Sequence, residues 1–337
     1  MTFLTDAQID AFQDRGYLLV EGLIDTARIC APIERDYTTL LDGLTEQLVR
    51  EGRLSSTWSG LPFGERVIKL YQETGELFIQ HFNISVPPKA GIPADIPICL
   101  APSVFRALTN DVLLDAVESL IGPEIAINPV QHTRIKPPSV VLDSAGASRS
   151  LHGALGITPD NGLVARTPWH QDNAVLTPDA DQTEMVTVWF PITDASIDMG
   201  CLAVQPGSHR GGLRTHCPSR TTDLFIPAAA LDDQDGIPIP MKRGDALFLH
   251  PHMCHSSRGN QSQAIRWSFD LRYQRRGQPS GRAILPTFVA RSREAPETIV
   301  RDPDTWARTW RETIHDLSRR TAVSSPHRWS ADAALCA

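Results

Sequence analysis

From about residue 124 to residue 274 the chain changes texture, and the change restricts the folds open to it. Helical spacing gives way to short apolar runs broken by proline, glycine, aspartate and serine, as in the runs 184–192, 200–205 and 245–250. Turn signals such as Pro206-Gly207 and Arg243-Gly244-Asp245 separate them. Many short strands at close spacing predict a sandwich or jelly roll rather than alternating β and α units. The flanks read differently. Helices are expected over about 26–50, 65–82 and 111–120, and again near 304–320. The fold class that follows is mainly β with flanking helices, a double-stranded β-helix core of the cupin-like kind. The 337 residues fit one domain, with a helical part to about 123, a core to about 275 and a C-terminal helical segment at about 300–321.

Local signals sharpen the N-terminal end. Thr5 and Gln8 stand at the two positions of a capping box, with Leu4 and Ile9 at staple positions. Gly16 should end the helix near Arg15, and Tyr17–Val20 reads as a strand. Gly122-Pro123 stops the third helix. Two long stretches lack clear periodicity, 139–167 and 211–240. Loops of that length are either functional lids or surface insertions, and both readings stand.

Charge and composition remove several function classes. Lys and Arg total 32 against 39 Asp and Glu, a net charge of −7, and no basic run is long enough to track phosphates, so no nucleic-acid partner is expected. No apolar stretch of ~18 residues suggests a membrane span, and the N-terminus has acids where a signal peptide would be apolar. The six cysteines are scattered, with no C-x-x-C pair. Neither a disulfide framework nor a thiolate zinc site is expected, and a reducing cytoplasm is the expected location. Oligomeric state, monomer or homodimer, is not set by the sequence.

The chemistry sits in two segments. His170 and Asp172 are two apart, so on a strand their side chains share a face and can grip one ion. A third ligand is available in the run from Gly244 to His255, which holds His250, His252 and His255. Two histidines and one carboxylate leave coordination positions open and suit iron(II) and O2. Eleven positions after His255 comes Arg266, whose guanidinium can clamp a carboxylate through two parallel hydrogen bonds. A metal-dependent hydrolase or isomerase, or a binding protein without turnover, would have no use for Arg266.

These residues, in this order, resemble the phytanoyl-CoA dioxygenase family of iron(II)/2-oxoglutarate oxygenases. The resemblance rests on the opening from Leu4 to Val20, on Trp169-His170-Gln171-Asp172, on Gly200–His209 with its Pro206-Gly207-Ser208-His209 turn, and on Gly244 through His255 and Asn260 to Arg266. It implies that His170, Asp172 and His255 are the catalytic iron ligands, that His250 is not one, and that His209 closes a turn. It implies 2-oxoglutarate as co-substrate, docked on Arg266, with O2 as oxidant and succinate and CO2 as products. Trp189 matches a family tryptophan that either walls the co-substrate site or belongs to the core. Gln131, His132 and Arg134 lie on a family strand that touches 2-oxoglutarate, with the alignment uncertain by up to two positions. Because Asp172 is a carboxylate rather than alanine or glycine, halogenation is disfavoured. Hydroxylation, desaturation, epoxidation and rearrangement stay open. The substrate is expected to be a small organic metabolite, possible partners for an anionic group being Arg149, His152 and Arg166.

Overall fold

The computed structural model describes residues 3–144, 165–218, 224–232, 236–323 and 328–336. The chain enters through helix α1 (Asp6–Arg15), capped as the sequence predicts: Thr5 accepts from the Gln8 amide and Gln8 bonds back to Thr5. Gly16 ends it at φ 80. A Cβ there would lie 2.4 Å from the His209 ring, so glycine serves the close approach as well as the left-handed turn. Strand β1 (Tyr17–Val20) follows at once. Helix α2 (Ala31–Arg50), entered through a π-turn over Thr26–Cys30, buries Ile33, Tyr37, Leu41, Leu44 and Leu48 as one stripe.

Next come α3 (Phe63–Thr74), α4 (Ile79–Phe82), α5 (Pro102–Leu108) and α6 (Asp111–Ile121). The helix expected over 65–82 is therefore two pieces, because Gly75 at φ 67 caps α3. Helix α5 was not expected; seven residues are too few for a period to stand out. After β2 (Ile125–Ile127) and β3 (His132–Lys136) comes the short α7 (Ser139–Ser144), so the first irregular stretch opens as helix. Arg149 and His152 lie outside the described residues.

Two antiparallel sheets carry the rest. The larger is ordered β1-β10-β5-β12-β2-β13, where β5 is Met185–Pro191, β10 Ala246–Leu249, β12 Arg266–Arg275 and β13 Phe288–Arg291; β3 also pairs with β12. The smaller is β4-β11-β6-β9: Thr167–His170, His255–Ser257, Leu202–Val204 and Ile237–Ile239. The second irregular stretch thus contains β9, and before it the pair β7 (Cys217–Pro218) and β8 (Leu224–Phe225). Helix α8 (Pro303–Arg319) matches the expected C-terminal helix.

Strand β12 shows why the site forms where it does. Trp267, Phe269, Leu271 and Tyr273 join the core built by the helices, with Trp267 stacked on Phe63 at 4.7 Å and tilted against Tyr37 at 4.9 Å. The alternate residues Arg266, Ser268, Asp270, Arg272 and Gln274 face the opposite way, and all are buried. A strand that is greasy on one face and ionic on the other, yet dry on both, needs compensating charge on its ionic side.

One expectation fails here. Cys217 and Cys336, 119 positions apart in sequence, form a disulfide with Cα atoms 5.4 Å apart. Scatter along the chain hid the pairing, since cysteines distant in sequence meet only through the fold. The bond ties the C-terminal tail to β7, and hydrogen bonds tie the same tail to the segment after Asp172: Trp329 Nε1 donates to Ala174 O at 2.8 Å, and Arg328 Nε to Leu176 O at 2.9 Å. Denaturing thiol titration of protein isolated without reductant should therefore count four cysteines, and six after reduction; six without reductant would mean the bond does not form. No helix among the described residues is long and apolar enough to cross a membrane.

Candidate metal centre

Strands β4 and β11 run antiparallel with His170 directly opposite His255, and the two imidazole centroids are 4.2 Å apart. Asp172 begins a 3-10 turn over Asp172–Val175. The sequence argument placed His170 and Asp172 on one strand; in fact β4 ends at His170. The shared face survives because Gln171 is still extended, at φ −118 and ψ 139. Gln171 points away and is pinned there. Its amide nitrogen Nε2 donates to Gly212 O and His252 O, Oε1 accepts from Arg214 N, and its backbone N–H donates to His216 Nε2 at 3.0 Å.

The ligand atoms of His170, Asp172 and His255 lie within 4.8 Å of one another. Each histidine donates Nδ1–H to the carbonyl two residues before it, His170 to Pro168 and His255 to Met253, both at 2.9 Å. That bond fixes the tautomer and leaves each Nε2 lone pair free. Both Nε2 atoms stand 3.9 Å from Asp172 Oδ1. Burial, then the neighbouring His255, lowers the His170 pKa to about 3, so its ring is neutral at physiological pH. Burial alone would raise the Asp172 carboxyl. Arg272, with His255, His170 and the Thr187 hydrogen bond, outweighs it and keeps the carboxyl well below its usual range. Arg272 Nη2 donates to Oδ1 at 2.5 Å and Thr187 Oγ1 to Oδ2 at 2.6 Å. Two imidazoles and one ionised carboxylate, each held from behind, form a divalent-cation site.

The other histidines are elsewhere. His250 packs between His209 and His252, and burial followed by those two neighbours lowers its pKa to about 4. His209 Nε2 donates to Gln13 O at 2.9 Å, closing its turn onto α1. The sequence did not single out His216. It is fully buried, accepts from the Gln171 amide, and stacks on Trp329.

Beside the triad is a small cavity, lined in part by Thr167, Trp189, Ser257, Arg134 and Asp270. Arg266 is fully buried. Its Nη1 donates to Gly200 O at 2.7 Å, while Nε and Nη2 have no partner. Gly200, at φ 72, brings its backbone so near Arg258 that a Cβ would lie 2.3 Å from that residue's carbonyl oxygen. Arg266 is not on the cavity wall. It sits over the Trp189 ring at 5.4 Å, and Trp189 forms the wall, so the tryptophan is both core and site. Burial, then Arg134, lowers the Arg266 pKa to about 9, which still leaves it charged at neutral pH.

Of the three candidates on or just before β3, the structure brings Arg134 to the cavity, paired with Asp270 at 2.8 Å. Gln131 is buried with Nε2 donating to Asn128 O. His132 lies next to Asn83, with its pKa lowered to about 3 by burial and then Arg134. Neither is on the cavity wall. Lys136, two positions beyond Arg134, was missed. It is fully buried opposite Arg266 in the β3–β12 ladder, and Nζ donates to Ser257 Oγ at 2.6 Å and Thr167 Oγ1 at 3.2 Å.

Comparison with known proteins agrees with this geometry. The sequence model of the family described as Phytanoyl-CoA dioxygenase (PhyH) matches residues 12–268. Phytanoyl-CoA dioxygenase domain-containing protein 1 of Bos taurus is 24% identical over 290 residues, covering 80% of this chain and 89% of that protein. The 1-deoxypentalenic acid 11-beta-hydroxylase of Streptomyces exfoliatus is 32% identical over 144 residues, 40% of this chain and 50% of its own. Among solved structures, the apo form of the non-heme monooxygenase ThoJ shares the fold at a TM-score of 0.54 and 17% identity, over 92% of this chain and 98% of that one. The match to the family model spans both metal segments and reaches Arg266 at the start of β12, and the chain belongs to the phytanoyl-CoA dioxygenase family of 2-oxoglutarate-dependent dioxygenases.

Proposed function

We propose that this protein is an iron(II)/2-oxoglutarate oxygenase that oxidises a C–H bond of a small organic metabolite, hydroxylation being the primary outcome. The two facing sheets are read as a jelly roll within a single domain. The observation that carries the reading is the pairing of a three-ligand open site with Arg266, a buried guanidinium with two donors left over, packed behind the Trp189 wall of the cavity beside that site. A buried cation with unused donors fits an anion that arrives from outside.

His170, Asp172 and His255 would hold iron(II), and the donor set fits it. Bound iron with 2-oxoglutarate supplies the oxidising power, coupling O2 reduction to release of succinate and CO2. The protein's part is placement. Arg272 and Thr187 fix the Asp172 carboxylate, and two backbone carbonyls aim the imidazoles. Arg266 would take the distal carboxylate of 2-oxoglutarate, with Lys136, Ser257 and Thr167 beside it and Trp189 as a wall. The apolar face of β12 and the helices over it keep water from that side. The named hydroxylase relative supports a small metabolite of a secondary pathway as substrate.

The test is an anaerobic titration of iron(II) and 2-oxoglutarate. A weak charge-transfer band near ~500 nm is expected, since keto-acid chelation needs an open iron site. Bound iron without that band on adding 2-oxoglutarate would refute the reading and favour a hydrolase or a binding protein.

A further inference from the structure

Trp329 has the largest side chain of the tail segment 328–336, yet it is only half-buried and belongs to none of the hydrophobic clusters of the core. Tryptophan joins a broad apolar ring to a single N–H donor, and a well-placed one uses both. Here both are used on groups around Asp172. The ring packs on His216, with centroids 5.1 Å apart and planes tilted by 39°, and His216 Nε2 accepts from the Gln171 amide at 3.0 Å. The indole Nε1 donates to Ala174 O at 2.8 Å.

The Ala174 carbonyl needs that donor. It lies near the end of the 3-10 turn Asp172–Val175, and the last carbonyls of a helical turn have no partner within it. Ala174 is fully buried, so water does not replace the missing partner. The Thr177 N–H, three positions on, is the donor that would extend the turn, but it goes to Gly281 O at 3.2 Å. Arg328 does the same for the next stretch. Its Nε donates to Leu176 O at 2.9 Å, and its Nη1 pairs with Asp181 Oδ1, which also accepts from Asn173 Nδ2 at 3.1 Å. Gln171, Asn173 and Ala174 thus each reach Arg328 or Trp329, directly or through one side chain. The Cys217–Cys336 bond fastens the tail at the residue next to His216.

The three metal ligands are not equally supported. His170 and His255 face each other across the β4–β11 ladder, but β4 ends at His170, so strand pairing does not hold the backbone of Asp172. Arg272 and Thr187 hold its carboxylate oxygens and leave its main chain to other contacts. We propose that Trp329 is a positioning residue for Asp172, acting through His216 on one side of it and through Ala174 on the other. This rests on the metal-centre part of the oxygenase reading. Loss of Trp329 strips the cover from His216 and leaves a buried carbonyl unmet two residues after the ligand. The ion is then held less tightly although all three ligands are intact.

The experiment is anaerobic equilibrium dialysis of the metal-free full chain against iron(II), well below the melting temperature of each protein, with cobalt(II) as a spectroscopic probe of the same site. Trp329→Ala should weaken iron(II) binding by about 10-fold or more, as loss of an outer partner of a metal ligand does. Trp329→Phe keeps a ring over His216 and loses the indole donor. It should bind roughly 2- to 10-fold more weakly than the parent, the size of one hydrogen bond, and more tightly than Trp329→Ala. The ligand-field bands of bound cobalt(II) report coordination geometry. They should shift in Trp329→Ala and return towards the parent in Trp329→Phe. A residue that serves stability alone would lower the melting temperature and leave affinity and bands as in the parent. That outcome in folded Trp329→Ala would overturn the proposal. Should Trp329→Ala not fold, the milder Trp329→Phe decides, and parent affinity with parent bands would overturn it there. A parent chain that binds neither ion would overturn the metal-centre reading and the proposal with it, whereas a binding parent with unmoved variants sinks the proposal alone.

Discussion

His170→Ala and Asp172→Ala should each weaken iron(II) binding by more than the roughly 10- to 100-fold that loss of an outer partner costs, and should abolish turnover. Their effects on stability should differ, and the difference separates a ligand role from a folding role. Asp172 is the partner of Arg272 inside the protein, both nearly inaccessible. Removing it leaves a buried guanidinium without its carboxylate, a loss of about 3–5 kcal/mol. Among the described residues, the His170 side chain has its hydrogen bond to Pro168 O alone, so His170→Ala should lose the metal with a much smaller fall in melting temperature. Equilibrium dialysis with iron(II), together with thermal unfolding of the metal-free variants, measures both. Full iron binding in either variant would mean the ion is held elsewhere.

Arg266→Ala should raise the dissociation constant for 2-oxoglutarate by about 30-fold or more, corresponding to the 2–5 kcal/mol typical of truncating one side of a buried charged pair. Iron binding should not change, because Arg266 contacts Gly200 and Trp189 and none of the three ligands. A second readout needs no turnover. At 100 times its dissociation constant, a ligand stabilises the native state by about 2.7 kcal/mol, so 2-oxoglutarate should lift the melting temperature of the parent and, at the same concentration, barely move that of Arg266→Ala. Equal shifts in both proteins would place the co-substrate away from Arg266, and the Arg134 and Lys136 side would be the next to examine.

The metal centre was legible because it depends on short-range geometry: His170 and Asp172 are two apart, and the third ligand follows a turn signal that any strand reading would mark. The N-terminal capping box and Gly16 were legible for the same reason. What escaped depends on pairing between distant strands. Lys136 comes opposite Arg266 only because β3 lies in register with the start of β12; the family resemblance put forward Gln131, His132 and Arg134 and stopped two positions short of it. Arg272 could have been found. The alternation Arg266, Ser268, Asp270, Arg272 within an otherwise apolar strand marks an ionic inner face, but counting from His255 stopped at Arg266. No local signal pairs Cys217 with Cys336. Likewise, nothing in the texture of residues 328–336 announces that they lie against the loop after Asp172.

That tail has a consequence for anyone recombining this protein with its relatives. Trp329 stacks on His216, His216 holds the Gln171 amide, and Gln171 stands between two metal ligands. The stretch around residue 216 and the last ten or so residues therefore form one inheritable unit, although about a hundred positions separate them. A chimera with a crossover between them would pair one parent's His216 with another parent's tail and loosen the metal ligands without altering any of them. Crossovers that keep both segments from the same parent should be the ones that survive.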